Sequence, residues 1–371
     1  MKVKNLILYF LSFSILLFCI EVFSFFALKF FKSKNFISKE TQDFYSIIYN
    51  TEDKKEIQNR YTLNTEQYRR YIFSAFQDYD ERPFDGQFVN VTKQNFRHEN
   101  FNEKLSKGAG TAYFFGGSTT FGYGVYDTET IPARVEEYSK NLIKTYNFGA
   151  GGYYSTSERI KFLKLLTAGY IPEYAIFIDG LNDFHYYEVP DKSEISLWLG
   201  GWLEDSDPFT YRTLLKLTIK KLRTYKLFLE VKNKINNKFK NIPAHYKNQE
   251  TNIGNIEKSL NRLNTNRRLL NSICINFDIK CLFVNQPVST FNFDQNRSLK
   301  IGIDMNNIGK HINSKKGYEL IQNKKKSGDI FDENVLWLEF LTIDEIMYID
   351  RVHYSPEFSK KIAQEIYKKL K

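Results

Sequence analysis

The sequence predicts an α/β domain built on a parallel sheet and preceded by an apolar N-terminal helix. Three observations carry this. From residue 111 onward, short apolar runs of strand length end in glycine-rich turns and alternate with helical stretches, the pattern of βαβ units. Residues 6–28, LILYFLSFSILLFCIEVFSFFAL, hold a single charge, Glu21. Near the C-terminus, Phe358, Ile362, Ile366 and Leu370 recur every four residues, one face of a helix turned to a core.

The elements follow in order. Ala112–Phe115 reads as a strand cut off by Gly116-Gly117, and Thr130-Ile131-Pro132 opens a helix with proline in its first turn. A second strand at 145–148 ends in the glycine-rich turn 149–152. Ser155 and Glu158 have capping-box spacing for a helix to about Thr167. Tyr174–Ile178 and 281–285 are further strands, 335–340 is a candidate for the last, and Ser355-Pro356 starts the final helix. The chain thus divides into an anchor at 1–34, a polar, aromatic-rich membrane-proximal segment at 35–110 expected to pack loosely, and the α/β domain at 111–371. Within that domain a mainly helical insertion at about 191–250 is expected to cover the top of the sheet, with Leu214–Val231 amphipathic and a further helix at 255–276.

The apolar run suits a single-pass membrane anchor. At about 1.5 Å rise per residue it reaches the ~30 Å hydrocarbon thickness. No A-x-A cleavage site follows it, and Phe18 precedes Cys19 where a lipoprotein site wants a small residue, so an uncleaved anchor is the favoured reading. Lys2 and Lys4 precede it and Lys29, Lys32 and Lys34 follow, so charge leaves its orientation open. Glu21 is expected to snorkel toward the interface or to meet a partner helix.

With 371 residues, 42% apolar and 26% charged, the chain can bury a sizeable core. Its net charge of +10 comes with no C2H2 spacing and no aromatic glycine-rich strand, so nucleic acid is not an expected partner; basic residues concentrate at 232–240 and 324–326 as solvated faces or contacts to anionic lipid or glycan. Cys274 and Cys281 either pair or remain free thiols, depending on whether their Cα atoms approach to about 4.4–6.8 Å.

Four sites could carry chemistry. Ser118 stands in Phe115-Gly116-Gly117-Ser118-Thr119-Thr120, just past a strand's carboxyl end, where open α/β sheets bind ligands. A phosphate nest or a helix cap would use the same turn. Asn147-Phe148-Gly149-Ala150-Gly151-Gly152 could turn backbone N–H groups toward a reacting oxygen. In Asp179-Gly180-Leu181-Asn182-Asp183 an amide could steady an oxyanion, although an Asx turn needs the same residues. Finally, Asp350-Arg351-Val352-His353 places a carboxylate three residues before a histidine. A serine nucleophile needs such a base, and the base needs a carboxylate to fix its tautomer. Among five histidines only His353 has an Asp this close in a loop leading into an amphipathic helix.

Together, and in this order, the four runs resemble the SGNH/GDSL hydrolase superfamily over about 111–371. Gly117-Ser118 is similar to the nucleophile block, with Gly117 where many members carry Asp. Gly152 resembles the second-block oxyanion glycine, with Gly149 and Gly151 as alternatives. Gly180-Leu181-Asn182-Asp183 matches G-x-N-D, and Asp350 with His353 matches D-x-x-H. The resemblance implies a three-layer αβα sandwich with a flavodoxin-like sheet, Ser118, His353 and Asp350 as a catalytic triad, and Gly152 and Asn182 as oxyanion donors. It implies no metal and no organic cofactor. The G-G-S-T-T-F-G run is similar to envelope-associated members with an N-terminal anchor, which implies an extracytoplasmic domain. The expected activity is hydrolysis of an O-acyl ester, acetyl included, on a cell-envelope glycan. The rivals are O-acyl transfer to a surface polysaccharide and a silent glycan-binding domain.

Overall fold

The computed structural model describes residues 3–33, 37, 39–67, 71–187, 218–219, 222–237, 247–292 and 307–371. The chain forms two units, 1–38 with 194–245, and 39–193 with 246–371. In the first, α1 spans Val3–Ser33, and its stretch Leu8–Leu28, 21 residues at mean hydropathy 2.3, is long and apolar enough to cross a membrane. Most of the expected 191–250 insertion lies outside the described residues.

The second unit opens with α2 (Lys39–Ile48), α3 (Lys54–Gln67) and an antiparallel pair, β1 (Ile72–Ser74) with β2 (Asp78–Asp80). The sheet follows: β3 (Gly108–Gly116), β4 (Lys144–Asn147), β5 (Pro172–Asp179), β6 (Lys280–Asn285) and β7 (Val335–Trp337), all parallel, in the order β4-β3-β5-β6-β7. Counted within the sheet this is the 2-1-3-4-5 flavodoxin-like order, whose switch point opens at the carboxyl ends of β3 and β5. The helices are α4 (Ser118–Phe121), α5 (Ile131–Tyr138), α6 (Ser155–Thr167), α7 (Leu181–His185), then α8 (Arg223–Asn237) in the first unit, and α9 (Ile253–Asn276), α10 (Asn313–Ser327) and α11 (Pro356–Leu370) in the second.

Alternation along the strands makes the three layers. Ala112, Phe114, Ile176, Ile178 and Val284 face Ile131 and Val135 of α5 and Phe358, Ile362 and Ile366 of α11. Their neighbours Tyr113, Phe115, Ala175, Phe177 and Phe283 face Phe162 and Leu166 of α6 and Leu270 and Cys274 of α9. In register across three strands, the Phe115, Phe177 and Phe283 rings stack at 4.9 and 5.5 Å. The side chains of Thr130 and Ser355 cap α5 and α11, each ahead of a proline in the first turn.

Three expectations change. The 35–110 segment does not pack loosely: Leu63, Val89 and Val91 are buried with Phe121, and Arg60 forks onto Glu129 at 2.6 and 2.8 Å. Arg60, Arg97 and Phe88 find partners in the loop 121–130, while Phe96 packs against Tyr146 and Phe148. Ser155 and Glu158 form no capping box, since Tyr154 is the N-cap and both side chains turn inward to buried carboxylates. The ambiguity at the cysteines resolves to a Cys274–Cys281 disulfide, because the turn from α9 into β6 brings the two Cα atoms to 6.0 Å.

Candidate active site

The parallel register sets Gly116 beside Ile178 and Asp179 beside Asn285, so the strands end at one level and their following turns share one rim. Ser118 starts α4 immediately after β3. Its hydroxyl lies 2.9 Å from His353 Nε2, and His353 Nδ1 lies 2.6 Å from Asp350 Oδ2. Asp350 Oδ1 accepts the N–H groups of Val352 and His353 at 2.9 and 2.8 Å, so one carboxylate shapes its own loop and orients the imidazole. Burial alone would raise the Asp350 carboxyl. The charge and hydrogen bonds of His353, with the two N–H donors, outweigh it and hold the group well below the usual carboxylate range. The loop is tied further where Ile349 N–H donates to His353 O (2.9 Å), Tyr354 Oη to Pro287 O (2.7 Å) and Ser289 Oγ to Arg351 O. The Tyr123 ring sits 5.2 Å from that of His353. Of the remaining histidines, His185 and His311 face each other at 4.3 Å, and burial lowers the pKa of both.

Asn182, in the first turn of α7, donates from Nδ2 to Tyr153 O at 2.7 Å. A Cβ on Gly117 would stand 2.4 Å from that same nitrogen and 3.0 Å from Tyr153 O. Glycine at 117 is therefore what lets the second and third turns close onto the Ser118 turn. In the turn after β4, Gly149 N–H is held by Asn147 Oδ1 (3.0 Å), Ala150 N–H by Gly116 O (3.0 Å) and Gly151 N–H by Glu81 Oε1 (3.1 Å). Gly152 N–H and Ser118 N–H have no partner among the described residues. Of the three glycines, Gly152 alone leaves its N–H unpaired among the described residues. Gly152 also has φ +80, and a Cβ there would meet the Tyr79 and Tyr186 hydroxyls at 2.8 and 2.9 Å.

Sequence reasoning missed the braces beneath these turns. Arg97, 3% exposed, donates to Asp127 Oδ1 (2.6 Å) and to the carbonyls of Phe121, Gly122 and Val125 (2.9, 2.6 and 2.7 Å), fixing the loop that follows Ser118. Asn147 Nδ2 donates to Thr120 O (2.9 Å), and Tyr79 Oη to Gly151 O (2.7 Å). No local pattern marks Arg97, because its partners lie some 24–30 residues away. Arg97→Ala strands the buried Asp127 charge, and we expect unfolding stability to fall by about 3–5 kcal/mol in urea titration.

Under the Asn182 turn, Glu158, Asp179 and Asp183 are fully buried with one arginine, Arg267, whose Nε lies 3.6 Å from Asp179 Oδ2. Burial and the neighbouring carboxylates push Asp179 up to about 6 and Glu158 well above its ordinary value. A folded pair that holds protons above the ordinary values of 3.8 and 4.5 binds more protons than the unfolded chain. Its stabilising contribution is complete below those values and is lost as pH rises through the folded ones. Urea midpoints should therefore decline from pH 5 to pH 8, and Glu158→Gln, which mimics the protonated acid, should flatten the decline. A wild-type midpoint that rises across this interval would contradict the raised protonation of the two acids.

No protein-family model matches the chain, and no curated protein matches it. Among solved structures it is similar to a member of the lipolytic protein G-D-S-L family from Veillonella parvula (12% identity, 70% of this chain and 96% of the other, TM-score 0.34). It is also similar to a carbohydrate acetylesterase family member from Sinorhizobium meliloti (11% identity, 70% and 96%, TM-score 0.37) and to an acetylxylan esterase from Geobacillus stearothermophilus (12% identity, 72% and 96%, TM-score 0.33).

Proposed function

We propose that the chain is a serine esterase of SGNH type, held to a bacterial envelope membrane by α1, that hydrolyses an O-acyl ester on an envelope glycan. The observation that carries this reading is the hydrogen-bonded series Ser118 Oγ, His353 Nε2, His353 Nδ1, Asp350 Oδ2. Such a series lets a hydroxyl give up its proton while it attacks a carbonyl carbon. His353 takes that proton, and Asp350 keeps the tautomer and steadies the imidazolium. The developing oxyanion is met by the Ser118 and Gly152 N–H groups and the Asn182 amide. Collapse breaks the ester C–O bond as His353 returns the proton to the leaving sugar hydroxyl. Water, deprotonated by His353, then releases the acyl group and restores Ser118. The Cys274–Cys281 disulfide and the apolar α1 favour an extracytoplasmic domain, where such bridges persist.

The test is p-nitrophenyl acetate hydrolysis by the detergent-solubilised chain against Ser118→Ala. Turnover lost in the variant supports the reading. No turnover without an added acceptor glycan, and product only with donor and acceptor together, would make the site an O-acyltransferase. Glycan binding that survives Ser118→Ala with no wild-type turnover would make it a binding domain. Asn182→Ala should lower kcat by about 10²–10³ with little change in KM, the mark of a group engaged chiefly in the transition state.

A further inference from the structure

The only charge in the apolar run of α1 is Glu21. A carboxylate at such a depth is costly unless it is hydrogen-bonded. Glu21 accepts the Arg223 N–H at 2.8 Å, the Thr224 N–H at 3.0 Å and the Thr224 hydroxyl at 2.5 Å. These N–H groups open α8, where a helix cannot satisfy its own donors and where its dipole favours an anion. Ser24 Oγ adds a contact to Thr224 Oγ1 at 3.4 Å, and the Arg223 guanidinium lies 4.5 Å over the Phe25 ring. Glu21 thus caps a second helix from a position 202 residues before its first residue.

That bond fixes where α8 begins. Glu21 precedes the end of the apolar stretch, Leu28, by seven residues, which is about 10 Å along a helix axis. Whatever is hydrogen-bonded to Glu21 shares its depth. The surface α8 leaves uncovered is apolar at Phe228 (60% exposed) and Val231 (40%), continuing from Leu222 (41%) just ahead of it, and Lys226 is exposed as well. Its sequence carries Arg223, Lys226, Lys232 and Lys234 against Glu230. A basic amphipathic helix settles with its apolar face about 5–10 Å into the headgroup and acyl boundary, the depth at which Glu21 holds this one.

We propose that α8 is an interfacial membrane helix, hooked to the anchor by Glu21, with the bilayer covering Phe228 and Val231. The inference rests on α1 being a membrane anchor. Its consequence for the esterase reading is that part of the segment inserted between α7 and α9 lies on the membrane surface.

The test uses the full chain in phosphatidylcholine–phosphatidylglycerol vesicles, with an environment-sensitive fluorophore at Phe228→Cys in a Cys19→Ser background, and separately at the native Cys19. Expected is blue-shifted emission from position 228, quenched by spin-labelled lipid and protected from aqueous iodide. Glu21→Leu should reverse all three, and Glu21→Gln, whose amide oxygen still accepts, should keep them. A lipid-quenched Cys19 with an iodide-quenched 228 would overturn the interfacial helix and leave the anchor standing. A Cys19 quenched only by iodide would overturn the anchor reading itself, and the proposal with it. A 228 site that stays in lipid in Glu21→Leu would overturn the hook.

Discussion

Replacing Ser118 by alanine is expected to lower ester hydrolysis by about 10⁴–10⁶, with the folded structure unchanged. Among the described residues, the one side-chain hydrogen bond of Ser118 Oγ is to His353 Nε2 at 2.9 Å. Alanine therefore removes the nucleophile and little else. The residual rate would come from binding and from the oxyanion donors, which survive when a triad member is lost. His353→Ala should fall to a similar level, and the double variant should be scarcely slower than either single one, because the two residues act as a unit. Additive losses in the double variant would mean that Ser118 and His353 serve separate steps.

Asp350→Asn is the second large effect, about 10⁴ in kcat. The two oxygens of Asp350 do different work. Oδ1 accepts the Val352 and His353 N–H groups, and an asparagine oxygen can keep both bonds. Oδ2 faces His353 Nδ1 at 2.6 Å, and there an amide NH₂ would donate. That forces the imidazole into the tautomer with its proton on Nε2, which cannot accept from Ser118. The loop is kept and the base is lost, so KM should change little while kcat falls. Asp350→Ala should do more harm to stability, since it also frees the two backbone donors. Because the Asp350 carboxyl is held well below the usual range, its contribution to stability is present above the ordinary value of 3.8 and is lost only as pH falls below it. The acid limb of the wild-type rate profile should therefore not belong to Asp350.

Much of this geometry was legible because it is local. Ser118, Gly152 and Asn182 each follow a strand within a few residues, and Asp350 and His353 share one loop, so short runs expose them. The alternation of strands and helices pointed only to a parallel sheet; its flavodoxin-like order was expected from the family resemblance. What escaped was long-range. Arg97 and Tyr79 look like ordinary residues of a polar aromatic segment until the loop at 121–127 and the turn at 151 close over them. Ser155 and Glu158 matched a capping pattern, but Asp179 and Asp183, more than twenty residues on, compete for those side chains and win, because a carboxylate buried away from water is costly until it finds a hydrogen-bond partner. Glu21 read as a charge that either snorkels to the interface or meets a partner helix; Arg223 and Thr224, which open α8, lie 202 and 203 residues away.

Whether Ser118 carries a covalent acyl group is read by mass spectrometry of the chain after reaction with an activated phosphonate ester, which arrests at the covalent stage. One adduct is expected, on Ser118, absent in Ser118→Ala and slowed strongly in His353→Ala. An adduct on another residue, or none on folded wild-type protein, would contradict Ser118 as the nucleophile.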